Sequence, residues 1–314
     1  MRITNNMVSD RVISDLQSQY AQLANTQLSI STGRRVNNPS DDPTASSQER
    51  MRLSQLEGIQ SAQKSVATSQ TWLNQAEASI SGVTDVLARA KEIATTGANG
   101  SYSQSDRNAL ANEVDQLIKA AKESLNAKVG SDYIFSGTKS DTPPYSTATG
   151  DAYQGDTGAV VRDGGAGTAL QNNPSFAALG GTSEPLTAQS VLGNGSASGD
   201  GRVLDALTQL AAHLRGGTTA DVQALGSSDL TALENNRIAV SNATSAIGAM
   251  SNRATAATSR LEDLEDGAKT SIDDLTGVDM AQAITDFSTQ SAAYQASLKV
   301  GAQIIQPSLL QFLS

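Results

Sequence analysis

The chain has 314 residues, a formal net charge of -10, no Cys and a single His. Such a balance excludes the basic surface that non-specific nucleic-acid or anionic-membrane binding needs, and the lack of Cys excludes a disulfide framework and thiolate chemistry. Aromatics make up 4%, thin for one large globular core but suited to helical bundles sealed by aliphatic side chains; no apolar run approaches the roughly 20 residues of a membrane span, and the N-terminus shows no apolar signal-peptide core.

A first helix is predicted from about Asn6 to Thr32, with Ile13, Leu16, Tyr20, Leu23, Gln27 and Ile30 at 3-4 spacing. Its polar residues are mostly uncharged, so it is poor in i,i+4 ion pairs and needs a partner. Gly33 fits the C-cap. Asn38, Pro39, Ser40, Asp41, Asp42 and Pro43 then cannot continue a helix and read as a joint, with Asp42 as N-cap and Pro43 at the first position of the next helix.

The helix from Thr44 to Thr95 carries the strongest pattern. Between Ile59 and Ala94, ten of eleven positions at 3-4 spacing are apolar, among them Ile59, Val66, Leu73, Ile80 and Leu87. Trp72, Val86 and Ile93 widen the stripe, which suggests more than one partner helix. Gly97 to Gly100 breaks the pattern. Ser103 or Ser105 caps a third helix, with Leu110, Val114, Leu117, Ala121 and Leu125 on one face, and the short connection folds it back on the long helix.

Residues 130–200 are rich in Gly, Thr, Ser, Asp and Pro, with β-like pieces at Tyr133 to Phe135, Ala152 to Gln154 and Ala159 to Arg162. A short helix follows around Leu204 to Leu214. From Asp229 a long seam returns, through Leu233, Asn236, Val240, Ile247, Leu261 and Leu264, with breaks expected at Gly267 and at Gly277 to Asp279. The last helix presents Met280, Ile284, Phe287, Tyr294, Leu298 and Ile305, and Pro307 is expected to kink or end it. Its narrow stripe mirrors that of the first helix, so the two chain ends are expected to pair.

Catalytic patterns are weak throughout. One histidine, His213, makes a His-ligated metal site implausible, and a surface or half-buried role explains it. Glu262, Asp263, Glu265 and Asp266 fit a solvated helix face, and capping explains Asp41 and Asp42 more simply than a cation site. Gly164 to Gly167 lacks the Lys-Ser/Thr of a phosphate loop and reads as a turn. No enzyme activity, metal or cofactor is expected.

The joint Ser31 to Pro43, with its Asn-Pro-Ser-Asp-Asp-Pro run, resembles that of the flagellin superfamily, and its two prolines are similar to the FlgL family of hook–filament junction proteins. Tyr133 to Lys139, Pro143-Pro144-Tyr145 and Tyr153 to Asp156 point the same way, as do Leu87 to Leu117 and Tyr294 to Val300. The resemblance covers roughly residues 1–155 and 228–314. It implies a mainly α, elongated antiparallel helical bundle and coiled coil with a small inserted β-rich domain. Residues 1–38 plus 272–314 would form a terminal assembly domain, 39–132 plus 228–271 a bundle domain, and 133–227 an outer β-rich domain. It further implies a ring of copies between a hook-side junction protein and flagellin, and an export chaperone near the C-terminus. Type III export to the extracellular flagellum without a cleaved signal peptide follows too, with no nucleic-acid or membrane partner. The filament subunit itself, or a secreted host-binding protein on the same scaffold, are the alternatives.

Overall fold

The computed structural model describes residues 5–146, 152–165, 168–196 and 198–312, with side chains described from residue 7 to residue 303. The chain is mainly helical. Helix α1 is Asn5–Thr32, α2 is Pro43–Gly97 and α3 is Gln104–Leu125; the chain closes with α7, Ser228–Thr276, and α8, Met280–Phe312. Between them lie three two-stranded antiparallel pairs: β1 (Lys128–Val129) with β2 (Asp132–Tyr133), β3 (Val161–Asp163) with β4 (Ala169–Gln171), and β5 (Ser175–Ala177) with β6 (Ser183–Pro185). Short helices α4 (Ala188–Leu192), α5 (Val203–Gly216) and α6 (Thr219–Leu225) complete this inserted region.

Two compact units result: Met1–Gly58 with Leu264–Ser314, and Ile59–Asp263. In the second unit, α2 and α7 run antiparallel. Gln70 Nε2 donates to Ser251 Oγ at 2.8 Å, and Lys91 pairs with Glu234 at 3.2 Å. Ile59, Val66, Leu73, Ile80 and Leu87 from α2, and Leu233, Val240, Ile247 and Leu261 from α7, are all at most 7% exposed. Helix α3 folds back on α2, where Arg89 reaches Glu113 at 2.6 Å. Ser103 caps α3 in a reciprocal box with Asp106, so the apolar face and the cap agree on where the helix begins.

Several expectations change. The inward face of α3 is Arg107, Ala111, Val114, Ile118, Ala121, Lys122 and Leu125, with Leu110 and Leu117 at its edges. Arg107 and Lys122 are buried along their whole length, the Arg107 guanidinium bonding the Gly97 and Asn99 carbonyls, so a hydrophobic count leaves both outside the face. Ala152 to Gln154 is not a strand: the Tyr153 amide donates to Asn194 O and the Gln154 amide to Pro144 O. A single backbone bond to each of two segments, with no second bond continuing either pairing, builds no ladder. The other two β-like pieces are real but displaced, to Asp132–Tyr133 and Val161–Asp163. Helix α7 passes through Gly267 without a break and carries Leu264 on an exposed face. Helix α8 likewise continues through Pro307 to Phe312; proline removes one N–H from the ladder, and the bonds on either side carry the helix on.

Helix α5 packs on α3. Gln104 Nε2 donates to the Leu214 carbonyl at 2.9 Å, Arg215 pairs with Asp115, and Leu214 and Leu225 close against Gly97. Tyr145 is buried, its hydroxyl within reach of the Ala188 and Gly193 carbonyls, either of which can take its one proton, while the Tyr153 hydroxyl lies between Phe135 O and Asp156 O. Burial pushes both phenols up from their ordinary range.

Candidate assembly surface

Helices α1 and α8 lie antiparallel in one unit. Tyr20 meets Tyr294 with ring centroids 6.0 Å apart, and Thr26 Oγ1 lies 2.9 Å from Gln290 Oε1. Further along, Gly301 is buried against Val12 and Leu16: a methyl built there would sit 3.2 Å from Val12 Cγ1 and 3.6 Å from Leu16 Cδ1. The absence of a side chain lets the helices approach.

Pairing covers only part of each apolar stripe. Leu16, Leu23, Ile30, Phe287 and Tyr294 are half-buried. Ile13, Tyr20, Met280, Ile284 and Leu298 remain exposed, with Tyr20 at 60% and Ile284 at 55%. The Ile305 side chain lies outside the described residues. Ile13, Leu16, Gln17, Tyr20, Tyr294 and Leu298 line an open groove of about 350 Å³ on one flank of the pair. On another flank, Val12, Leu16, Gln19, Val300 and Gly301 help line a groove of about 300 Å³. Two side-by-side helices close one face each, which leaves the flanks of each stripe uncovered.

At the joint, Gly33 takes a left-handed φ of +70° and ends α1. The chain then touches the end of α7: Arg34 forms a β-bridge with Gly277, the Arg35 amide donates to Thr276 O at 2.7 Å, and Val278 N to Gly33 O at 3.1 Å. Pro39 sits second in a turn closed by Asp41 N to Asn38 O at 3.0 Å, and Ser40 is exposed beside it. Asp41 Oδ2 accepts from the Asn37 and Asn38 amides, at 3.1 and 2.8 Å. Asp42 Oδ1 accepts from Ala45 N at 3.0 Å, capping α2 just before Pro43. That backbone bond, together with Arg35, holds the Asp42 carboxyl below its ordinary range. Arg34 pairs with Glu49 and fastens α2 to the joint.

Residues 3–140 match the family of the bacterial flagellin N-terminal helical region, and residues 230–313 match its C-terminal helical region. Flagellar hook-associated protein 3 of Salmonella typhimurium is 28% identical over 99% of both chains. The Escherichia coli K12 protein of the same description is 33% identical over 48% of each chain. Among solved structures, a Vibrio parahaemolyticus chain assigned as a flagellar hook-associated protein superposes with TM-score 0.63 at 23% identity, over 76% of this chain and all of that one. Bacillus cereus FlgL gives TM-score 0.53 at 21% identity, over 71% of this chain and 99% of that one. The chain belongs to the flagellin family, in its FlgL-like hook-associated branch.

As a member of that branch it is a structural flagellar component, and its remaining polar clusters serve architecture. His213 Nδ1 lies 2.8 Å from Asp229 Oδ2, joining the end of α5 to the start of α7. Asn236, the polar position in the α7 seam, is 1% exposed and donates to Gly201 O at 2.9 Å; it ties the inserted region to the bundle. Among the carboxylates 262–266, Glu265 pairs with Lys269. Gly165 N donates to Asp163 Oδ1 in a turn, of which residues 166 and 167 lie outside the described residues. Among the described residues no group of three or more His, Asp or Glu could hold a metal ion, and no helix is long and apolar enough to cross a membrane.

Sequence periodicity missed Val12, Gln19, Thr26 and Gln290 in the terminal seam. Gln19, Thr26 and Gln290 are polar residues at helical spacing, which a hydrophobic count passes over. It also missed α4 and α6, whose starts carry Thr187 with Ser190 and Thr218 with Asp221 in reciprocal capping boxes.

Proposed function

We propose that this chain is the hook–filament junction subunit of a bacterial flagellum, assembling as a ring of copies through its paired ends. Residues 1–38 plus 272–314 serve as the assembly domain, 39–132 plus 228–271 as the bundle domain, and 133–227 as the outer domain. The observation that carries this reading is the contrast between two seams. The nine bundle positions of α2 and α7 are covered within one chain, whereas Ile13, Tyr20, Met280, Ile284 and Leu298 stay exposed on the α1–α8 pair. Covering such a stripe with neighbouring copies offsets the entropy of ordering helices too weak to stand alone.

A hook-side junction protein and flagellin are the neighbours on either side of the ring. An export chaperone binds near the C-terminus, and a Cys-free chain suits passage as an unfolded polypeptide through a type III channel. The role is structural, not catalytic.

Deleting the gene and viewing cells and medium by electron microscopy tests the reading. Bare hooks with unassembled flagellin in the medium are expected. Missing filaments with no flagellin in the medium would make this chain the filament subunit. Intact flagella would overturn both readings and turn attention to the outer domain as a host-binding module.

A further inference from the structure

The tripeptide Asn-Gly-Ser occurs twice, at residues 99–101 and 194–196, in two very different settings. Asn99 and Gly100 form the exposed turn between α2 and α3. Asn99 Oδ1 accepts from the Ser101 amide at 3.0 Å and the Ser101 hydroxyl at 2.9 Å. Two donors on that oxygen draw electron density away from Cγ. Among the described residues the Gly100 N–H donates to no acceptor. A Cβ at Gly100 would meet nothing within 4 Å, so there is room for a five-membered ring. At the second copy, Gly195 is buried with φ at +147°. There the Asn194 amide donates to Asp200 Oδ2 at 2.7 Å, and the Asn194 carbonyl accepts from Tyr153 N at 3.1 Å.

We propose that Asn99 is a site of spontaneous deamidation, selected over Asn194 by the fold. The Gly100 amide nitrogen loses its proton to solvent base and attacks Asn99 Cγ. A C–N bond forms, the Cγ–Nδ2 bond breaks, and ammonia leaves with a proton taken from solvent. Water then opens the succinimide at either carbonyl, giving aspartyl or isoaspartyl at position 99. No atom changes oxidation state, and water is the only co-reactant.

The modification has a local consequence. The Asn99 backbone carbonyl accepts from Tyr102 N at 3.2 Å and from Arg107 Nη2 at 3.2 Å, while Arg107 Nε holds the Gly97 carbonyl at 3.0 Å. An isoaspartyl link inserts a carbon into the main chain and moves that carbonyl off its donors. The aspartyl product leaves the backbone path unchanged and adds one negative charge. Aged molecules would thus carry two populations at this turn.

The test incubates the full-length protein at neutral and mildly alkaline pH and quantifies both sites by peptide mapping. Conversion at Asn99 should exceed that at Asn194 by at least about tenfold, a barrier difference of about 1.4 kcal/mol. It should rise with pH and yield aspartyl and isoaspartyl together. In urea, where only the shared tripeptide remains, the two rates should converge. Gly100→Ala, tolerated by the open space and ordinary φ there, should slow conversion at Asn99 with no change in melting temperature. Equal rates in the folded protein, or an aspartyl product with no isoaspartyl, would overturn the proposal. The folded comparison uses the unaltered chain, so it decides the matter whatever the variant does.

Discussion

Thr26 Oγ1 donates a hydrogen bond to Gln290 Oε1 at 2.9 Å, across the seam of α1 and α8. The same hydroxyl lies 3.0 Å from the Gln22 carbonyl, so its one proton serves one acceptor at a time. Nearby on α1, Gln19 Oε1 is buried without a partner among the described residues. Polar groups in a helix seam favour one register, because a slipped pairing leaves them unsatisfied. Thr26→Ala should weaken the terminal pair by about 0.5–1.5 kcal/mol. Faster amide exchange in α1 and α8, with none in α3, is the expected readout; unchanged exchange at both ends would show that the bond contributes nothing.

Gly301 sets the closeness of the same pair. Gly301→Ala places a methyl 3.2 Å from Val12 Cγ1, and a half-exposed valine can yield by that much. The loss is offset by the gain of roughly 0.5–1 kcal/mol when alanine replaces glycine inside a helix. A leucine has no such room and should destabilise the pair by about 1–3 kcal/mol. Alanine near neutral and leucine disruptive, read by circular dichroism melts and exchange, is the expected order. The reverse order would mean that α8 does not meet α1 at Gly301.

Leu16→Asp combined with Leu23→Asp attacks the half-buried stripe of α1. The bundle of α2, α3 and α7 contains neither residue, so its cooperative melt should persist while assembly is lost. Sedimentation and electron microscopy report the two separately. Filaments built by the double variant would remove α1 from the assembly surface.

Acid should loosen the bundle in a defined window. Arg237, with help from Lys91, lowers the Glu234 carboxyl from 4.5 to about 2. A carboxylate with a depressed folded-state pKa stabilises the fold above its unfolded value, and that contribution vanishes as pH falls through the folded value. Asp106 and Asp221, held down by the hydroxyls and amides of Ser103 and Thr218, act in the same direction. Melting temperature should therefore fall as pH drops from 4.5 towards 2, and Glu234→Gln should flatten part of that slope. A variant as acid-sensitive as the parent would exclude Glu234 as a contributor.

What the sequence made legible follows from how strongly burial patterns each element. The seams of α2 and α7 are covered on several sides, so apolar residues recur at helical spacing and stand out. The joint was equally legible, because Pro39, Asp42 and Pro43 impose backbone conformations that few other residues would select. In the terminal pair, by contrast, Thr26 and Gln290 bond across the seam and Gln19 of α1 buries its side-chain oxygen. Such residues look like surface to any hydrophobic count, so the stripe read from α1 included exposed Ile13 and Tyr20 and passed over Val12. The inserted region was read only in outline. Its order rests on backbone-to-side-chain bonds, the Tyr145 hydroxyl to Ala188 O, the Thr138 amide to Asp156 Oδ1 and the Gly201 amide to Asp205 Oδ2, which depend on loop paths that periodicity does not encode.

The Thr26–Gln290 contact joins residues 264 positions apart. Closing a flexible loop of that length carries an entropy penalty on the order of 5 kcal/mol beyond the fixed term, more than a narrow, partly polar seam can repay. Once the Ile59–Asp263 unit has folded, Ala62 and Leu261 both rest against Gly165, and the two chain exits emerge together. The loop left to close is then several-fold shorter. This topology predicts an order of events in which the middle of the chain folds first and the ends meet last.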